Sequence, residues 1–357
     1  MELVNQTALA AEAVVSDHGL SPSGRPRRSL TLVAKATFRV DKQEVQLETD
    51  APYPVLRDEE PARAGFFPRD VVPPRSDGLE VCLLGSAYAP RGAPTPEMTV
   101  ALSLGGTERY LRVIGDRTWR RGANGELLVE PPRPFTQMEL SWARAFGGTA
   151  EVYVDESTSM PIHYALNSEG RGFDPGESVR GLAEQTGCAV GFPRVALDQT
   201  LPNVEPFGAA DYDPADQVVP ECWAPMPLQL GLRMKLAAEA RGVRLNAAPD
   251  RPFPRDEVPA REGLWFAHPA LRFGSEILGT RLRLTGCSPG GSLDFAIPNL
   301  VPVFDYELGP RTGHGVLRAQ VMTILPDESL FTITYRHWTG FVLEDESWDR
   351  SVRLQLQ

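Results

Sequence analysis

Five histidines, at positions 18, 163, 268, 314 and 337, are the first residues to test for chemistry, because imidazole serves both acid–base catalysis and metal ligation. They are scattered, and the His-Glu-x-x-His spacing that places two imidazoles on one helix face is absent. Each is read as a satisfied structural histidine. His163, just ahead of Tyr164 and the turn at Asn167, is the one placed for more. Asp211-Tyr212-Asp213-Pro214-Ala215-Asp216 is the densest run of carboxylates and the natural calcium candidate, but it lacks the glycine and the terminal glutamate of an EF-hand loop. It reads as a solvated loop. Carboxylate pairs suited to glycoside hydrolysis carry no weight in a chain with 47 acidic residues. Trp119, Trp142, Trp223 and Trp265 have the chemistry of a sugar platform, and core packing is the simpler reading of all four. The cysteines at 82, 188, 222 and 287 form no Cys-x-x-Cys unit, so neither a zinc ribbon nor a redox motif is expected. No Gly-Lys-Ser/Thr cradle and no dinucleotide Gly-x-Gly-x-x-Gly follows a strand. The expectation is a non-enzyme without a metal or cofactor.

Charge and composition narrow the partners. The net charge is −11 and the pI about 5.1, whereas nucleic-acid binders present a basic face. The basic clusters Arg25-Pro26-Arg27-Arg28 and Arg117 with Arg120-Arg121 are short and read as solvated patches. No apolar run approaches the ~18 residues of a spanning helix, and Met1 to Val15 lacks the basic start and apolar core of a leader. No nucleic acid and no membrane are therefore expected, and the reading is a cytoplasmic protein with reduced thiols.

The elements that must position any site are mostly strands. Ser29 to Val40 alternates, with Leu30, Leu32, Ala34, Ala36, Phe38 and Val40 on one face. Val45 to Leu47 completes a hairpin. Leu3 to Val15 reads as either a short helix or an edge strand. Residues 51–76 carry six prolines and read as an ordered loop with Phe66-Phe67 buried. Leu79 to Tyr88, Met98 to Leu104, Glu108 to Ile114 and Thr136 to Ala145 are strands, and Asn124-Gly125 joins Arg117–Arg121 to Glu126–Val129. Gly231 to Arg241 is the best helix. Further strands run Leu264 to His268, Ile277 to Gly286, Ser292 to Ile297, Val301 to Leu308, Gly315 to Leu325 and Leu330 to Trp338. The fold class expected is mainly β: antiparallel β-sandwich or partly open barrel lobes with long loops and few short helices. The organisation expected is an N-terminal β lobe at 1–148, a loop-rich middle at 149–262 and a C-terminal β lobe at 263–357.

The most distinctive stretches are turns interleaved with aromatics. Gly115-Asp116-Arg117-Thr118-Trp119 opens the series, then Met138-Glu139-Leu140, Ala145-Phe146-Gly147-Gly148, Asn167-Ser168-Glu169-Gly170-Arg171-Gly172-Phe173 and Leu201-Pro202-Asn203-Val204-Glu205. Glycine pairs permit sharp turns, Asn167 suits an Asx-turn, and Trp119, Phe146 and Phe173 are anchors onto apolar surface. These boxes, in this order, resemble a bacterial domain-of-unknown-function family encoded beside type VI secretion genes. Its pattern is Gly-Asp-Arg-x-Trp, Met-Pro-Leu, Ala-Phe-Gly-Gly, Asn-Pro-x-Gly-Arg-Gly-Phe and Leu-Pro-Asn-(Ile/Val)-Glu. The chain is identified as a divergent member, with Glu139 and Ser168 standing where that pattern has proline.

The resemblance implies a cytoplasmic effector adaptor or chaperone whose partners are a secreted effector and the spike protein of a type VI secretion system. It makes Gly115, Asp116, Arg117, Trp119, Phe146, Gly147, Gly148, Asn167, Gly170, Arg171, Gly172, Phe173, Leu201, Pro202, Asn203 and Glu205 the scaffold or partner-contact candidates. The surface for the partner is expected on residues 51–76 and 149–262 or on an exposed sheet edge. The rival readings are a β-sandwich carbohydrate-binding protein or hydrolase, and a structural subunit of the secretion machine.

Overall fold

Strand Pro26–Asp41 is the axis of the fold, and its 16 residues explain most of the architecture. In the computed structural model, which describes residues 1–20, 26–72, 78–121, 123, 127–153, 159–173, 200–208, 219–239, 265–309, 311–342 and 350–357, it lies inside a seven-stranded sheet. The order across that sheet is Arg272–Phe273, Leu79–Leu83, Arg318–Leu325, Leu330–Val342, Pro26–Asp41, Ala10–Leu20, with Glu44–Leu47 pairing the end of Pro26–Asp41. Leu79–Leu83 and Arg318–Leu325 run parallel; the other neighbours are antiparallel.

The alternation in Pro26–Asp41 sends Leu30, Leu32, Ala34, Ala36 and Phe38 to one face, all buried. Two smaller sheets cover that face. The first has five strands in the order Val204–Pro206, Thr107–Ile114, Glu97–Leu104, Arg281–Thr285, Ser292–Ala296. Its Phe295 stacks on Phe331 at 4.5 Å, and Phe331 stacks on Phe38 at 4.9 Å. Each fully buried Phe contributes about 1.5–3 kcal/mol relative to exposure. The second has four strands, Glu2–Asn5, Arg350–Leu356, Pro302–Leu308 and Arg311–Val316, and sets Phe304 4.6 Å from the His337 ring. The first and last strands of the chain thus pair directly, in parallel. The result is a sandwich, and among the described residues no sheet closes into a barrel.

The other face of the long sheet is polar and yet buried. Lys35, Thr37, Thr334 and Arg336 lie on it with exposures of 3% or less. The Pro-rich segment seals them with Asp70. Its carboxylate accepts from Lys35 Nζ at 2.7 Å, from the Leu56 N–H at 2.9 Å and from Thr334 Oγ1 at 2.7 Å. Arg336 Nε donates to the Asp70 carbonyl at 2.6 Å. A buried charge needs this kind of partner set to be tolerated.

Several elements differ from their sequence expectation. Residues 10–15 are strand, because Ala11 and Ala13 pair with Ala34 and Leu32; sheet pairing overrides the helical preference of alanine. The Pro-rich segment contains a small hairpin, Glu60–Ala62 with Gly65–Phe67, in which Phe66 and Phe67 are half-buried rather than enclosed. The strand expected to end at Ala145 stops at Glu139, and a 3-10 turn, Trp142–Arg144, follows as Trp142 Nε1 donates to the Ala224 carbonyl. Residues 265–268 are irregular, because the Phe266 and Ala267 N–H groups donate to Glu80 Oε2 instead of a ladder. Strand Arg350–Leu356 was not expected. Helix Gly231–Glu239 is where the periodicity puts it. The Asp211–Asp216 run, Cys188, Arg25 and the Asn124-Gly125 turn lie outside the described residues, although the strands flanking that turn do pair.

Candidate functional site

The boxes meet at two joined centres. The hairpin of Glu97–Leu104 and Thr107–Ile114 delivers the chain to Gly115, where a Cβ would stand 1.9 Å from the Arg133 carbonyl oxygen, so only glycine fits. The first centre is Asn167, fully buried. Its Nδ2 donates to the Trp142 and Phe146 carbonyls at 2.9 and 3.0 Å, and its own carbonyl accepts from the Gly148 N–H at 2.8 Å. Phe146-Gly147 pairs in parallel with Arg171-Gly172. Gly147 has φ +142, and a Cβ there would lie 2.0 Å from the Asn167 carbonyl oxygen. Phe146 meets Tyr164 edge-on at 4.9 Å, and Tyr164 lies 5.2 Å from Phe173. Gly148 and Gly170 face each other across this turn.

The second centre is Asn203, also fully buried. Its Nδ2 donates to the Ile114 carbonyl and to Asp116 Oδ1, both at 3.0 Å, and its N–H donates to the Arg144 carbonyl at 2.9 Å. These bonds fix the amide so that Oδ1 faces two guanidinium groups. Arg144 Nη1 and Arg171 Nη1 each donate to it at 3.1 Å. Arg171 also donates from Nε to the Ala143 carbonyl at 3.0 Å, which joins the two centres. Next along the chain, Glu205 is 4% exposed and takes Arg117 on one oxygen, with Arg112 at 3.5 Å on the other. Arg117 donates further to the Pro202 carbonyl at 3.3 Å, and its own carbonyl accepts from the Leu201 N–H at 3.0 Å. Arg112 completes its pairing on Glu97 at 2.7 and 2.8 Å. Burial pushes the Glu205 carboxyl up while Arg117 and Arg112 pull it down; the Arg112 hydrogen bond holds Glu97 below the usual range. Burial, reinforced by Arg144, lowers the pKa of Arg171.

Of the sixteen candidates drawn from the boxes, fifteen are placed by these contacts. Trp119 is buried on the strand that follows Arg117. Arg144 was missed, although it stands in Ala143-Arg144-Ala145, directly before the Phe146 box. The junction offers guanidinium, carboxylate and amide groups, which bind and orient.

The remaining chemistry is dispersed. His163 Nδ1 contacts Thr149 Oγ1 at 2.7 Å on an exposed hairpin, and His314 contacts Asp305 at 3.0 Å. Among the described residues no cluster of three or more His, Cys, Asp or Glu could hold a metal ion. Trp119, Trp142 and Trp223 are buried, and Trp265 lies under the Arg272 guanidinium at 4.3 Å, so the four tryptophans form no open platform. Burial pushes the Cys82, Cys222 and Cys287 thiols up, Cys222 to about 12, so these are inert packing groups. Gly286-Cys287-Ser288-Pro289-Gly290 spells a nucleophile elbow, but it turns between the antiparallel strands Arg281–Thr285 and Ser292–Ala296 rather than from strand to helix. A cleft of about 400 Å3 opens beside the junction, lined by Glu59, Glu139, Glu169, Arg63, Trp142 and Pro225 among others. No described helix is long and apolar enough to cross a membrane.

Comparison with known proteins adds one finding. A family model described as an uncharacterized protein conserved in bacteria (DUF2169) matches residues 25–336. No curated protein matches, and no solved structure matches.

Proposed function

The chain belongs to the bacterial DUF2169 family, and from that premise we propose that it is a non-enzymatic adaptor or chaperone. It binds a secreted effector in the cytoplasm and helps to load it onto the spike protein of a type VI secretion system. The secretion context comes from the order of the boxes; the binding mode has its support in the geometry. The observation that carries it is the edge strand Ala10–Leu20. This strand is 11 residues long, and among the described residues it pairs with Pro26–Asp41 alone along Ala10–Asp17. Ala10 to Ser16 holds one charge and no proline, so it lacks the usual guards against a further strand. An extended segment of a partner can add to it through backbone hydrogen bonds. Asn167, Asn203, Arg117 and Glu205 hydrogen-bond within the boxes and the segments that join them, which supports a scaffold that presents a surface.

The test is a pull-down of the full chain from lysate of its own organism, with mass spectrometry. The expected result is one secreted toxin or spike protein at near-stoichiometric yield. Ala13→Pro and Val14→Pro then locate the surface. On an edge strand adjacent N–H groups point alternately toward and away from the neighbour, so one substitution removes an outward donor and the other a ladder bond. The variant that keeps the parental melting temperature is expected to lose the partner. A bait that retains no partner, or two variants that both retain it, overturns the reading.

A further inference from the structure

We propose that Arg144 and Arg171 form a carboxylate-binding site on the open side of the Asn203 centre. Four arginines surround the junction, and they are neutralised unequally. Arg117 and Arg112 are closed by Glu205 and Glu97. Arg171 has no carboxylate within ion-pair distance among the described residues, and its polar partners there are the neutral carbonyl of Ala143 and the amide of Asn203. Arg144 reaches Asp116 only at 3.7 Å and Glu139 only at 3.9 Å, both longer than a hydrogen bond. Two like charges held on one amide oxygen repel, and the locked amide prevents them from separating. Neither Nη2 has a partner among the described residues, whereas Nη1 of both is engaged. The pair is half-buried and reached from solvent: Arg144 is 27% exposed and Asp116, on its rim, 57%.

The charge picks the ligand. Two guanidinium groups against Asp116 at 3.7 Å and Glu139 at 3.9 Å are balanced overall, so the Nη2 donors favour a singly charged carboxylate over a phosphate dianion. The carboxylate is an acidic side chain or chain terminus of a polypeptide partner; that assignment rests on the adaptor reading, whereas the site itself rests on the geometry.

The experiment follows guanidinium Nε–Hε signals of the full chain labelled with 15N-arginine. Sodium acetate is titrated at constant ionic strength against sodium chloride, with inorganic phosphate at pH 7 in a second arm. Arg144 and Arg171 are expected to shift saturably with acetate, while Arg39 and Arg281, paired on the surface with Glu48 and Asp294, do not. Arg171→Lys is expected to weaken acetate about tenfold at Arg144, since the second fork of donors is lost. Asp116→Asn preserves the oxygen that Asn203 uses and is expected to tighten acetate. Shifts that rise linearly at all four arginines overturn the site, as does weaker acetate binding in Asp116→Asn. Saturation by phosphate at lower concentration than acetate overturns the carboxylate assignment. Acetate saturation alongside an empty pull-down leaves the site standing and the adaptor reading fallen; the reverse pattern does the opposite.

Discussion

The layer beneath the Pro-rich segment and the junction of the boxes both hold cations against acids inside a β framework, and they close differently. Around Asp70, Lys35 and Arg336 are 3% exposed and the carboxylate is saturated by three donors. Around Asn203 the central acceptor is neutral, and one of its two arginines, Arg144, is 27% exposed. Sealing a charge inside a protein tolerates no vacancy, because the partner left behind has no water to turn to. An open cluster keeps that option. The first arrangement therefore fixes the fold, and the second has capacity left for a ligand.

Asp70→Asn is the sharpest way to break the sealed layer. It keeps the shape and leaves Lys35 charged and buried, so a loss of about 3–5 kcal/mol is expected in urea unfolding. A loss below about 1 kcal/mol would mean that Lys35 escapes to solvent, and the contrast between the two regions would fail. The turn Pro269–Leu271 sets an acid limit. His268 accepts from the Ala270 N–H, and burial with the neighbouring Arg272 holds its pKa down to about 4. Neutral His268 therefore contributes fully above its unfolded pKa of about 6.5, and the contribution is lost as pH falls from there toward 4. The loss is about 3 kcal/mol, and His268→Gln is expected to flatten the stability profile over that window. Parallel profiles for the variant and the parent would assign the acid sensitivity elsewhere.

Asn203→Ala probes the junction. It removes the bonds to Ile114, Asp116, Arg144 and Arg171 together, but the arginines left behind can hydrate. A loss of about 2–3 kcal/mol is expected, smaller than for Asp70→Asn despite more hydrogen bonds removed. An equal or larger loss would show the junction to be as closed as the Asp70 layer.

The sheet framework was legible because alternation is local: Leu30 to Phe38, Arg281 to Thr285 and Phe331 to Tyr335 state their faces residue by residue. The boxes were legible as turns, since Gly115 and Gly147 stand where no side chain fits. What the sequence did not disclose was long-range. Nothing near Lys35 or Thr334 announces Asp70, whose partner Thr334 lies 264 residues away. Arg144 was passed over because its partner, Asn203, comes 59 residues later. The Ala10–Ser16 edge was ambiguous for a related reason: alanine prefers helix until a neighbouring strand is in place.

The smallest effect gives the finest comparison, because it asks whether a paired arginine at the junction is held as Lys35 is or merely accompanied. Arg112 grips Glu97 with two donors and touches Glu205 at 3.5 Å with a third. Glu97 is 43% exposed, so its ion pair is screened, and Glu97→Gln is expected to cost less than about 1 kcal/mol. Arg112 would then lean on Glu205, which Arg117 already neutralises, so the buried carboxylate gains a donor and loses nothing. A cost above about 2 kcal/mol would place Glu97 inside the closed network and leave Arg144 and Arg171 as the only open cations of the four.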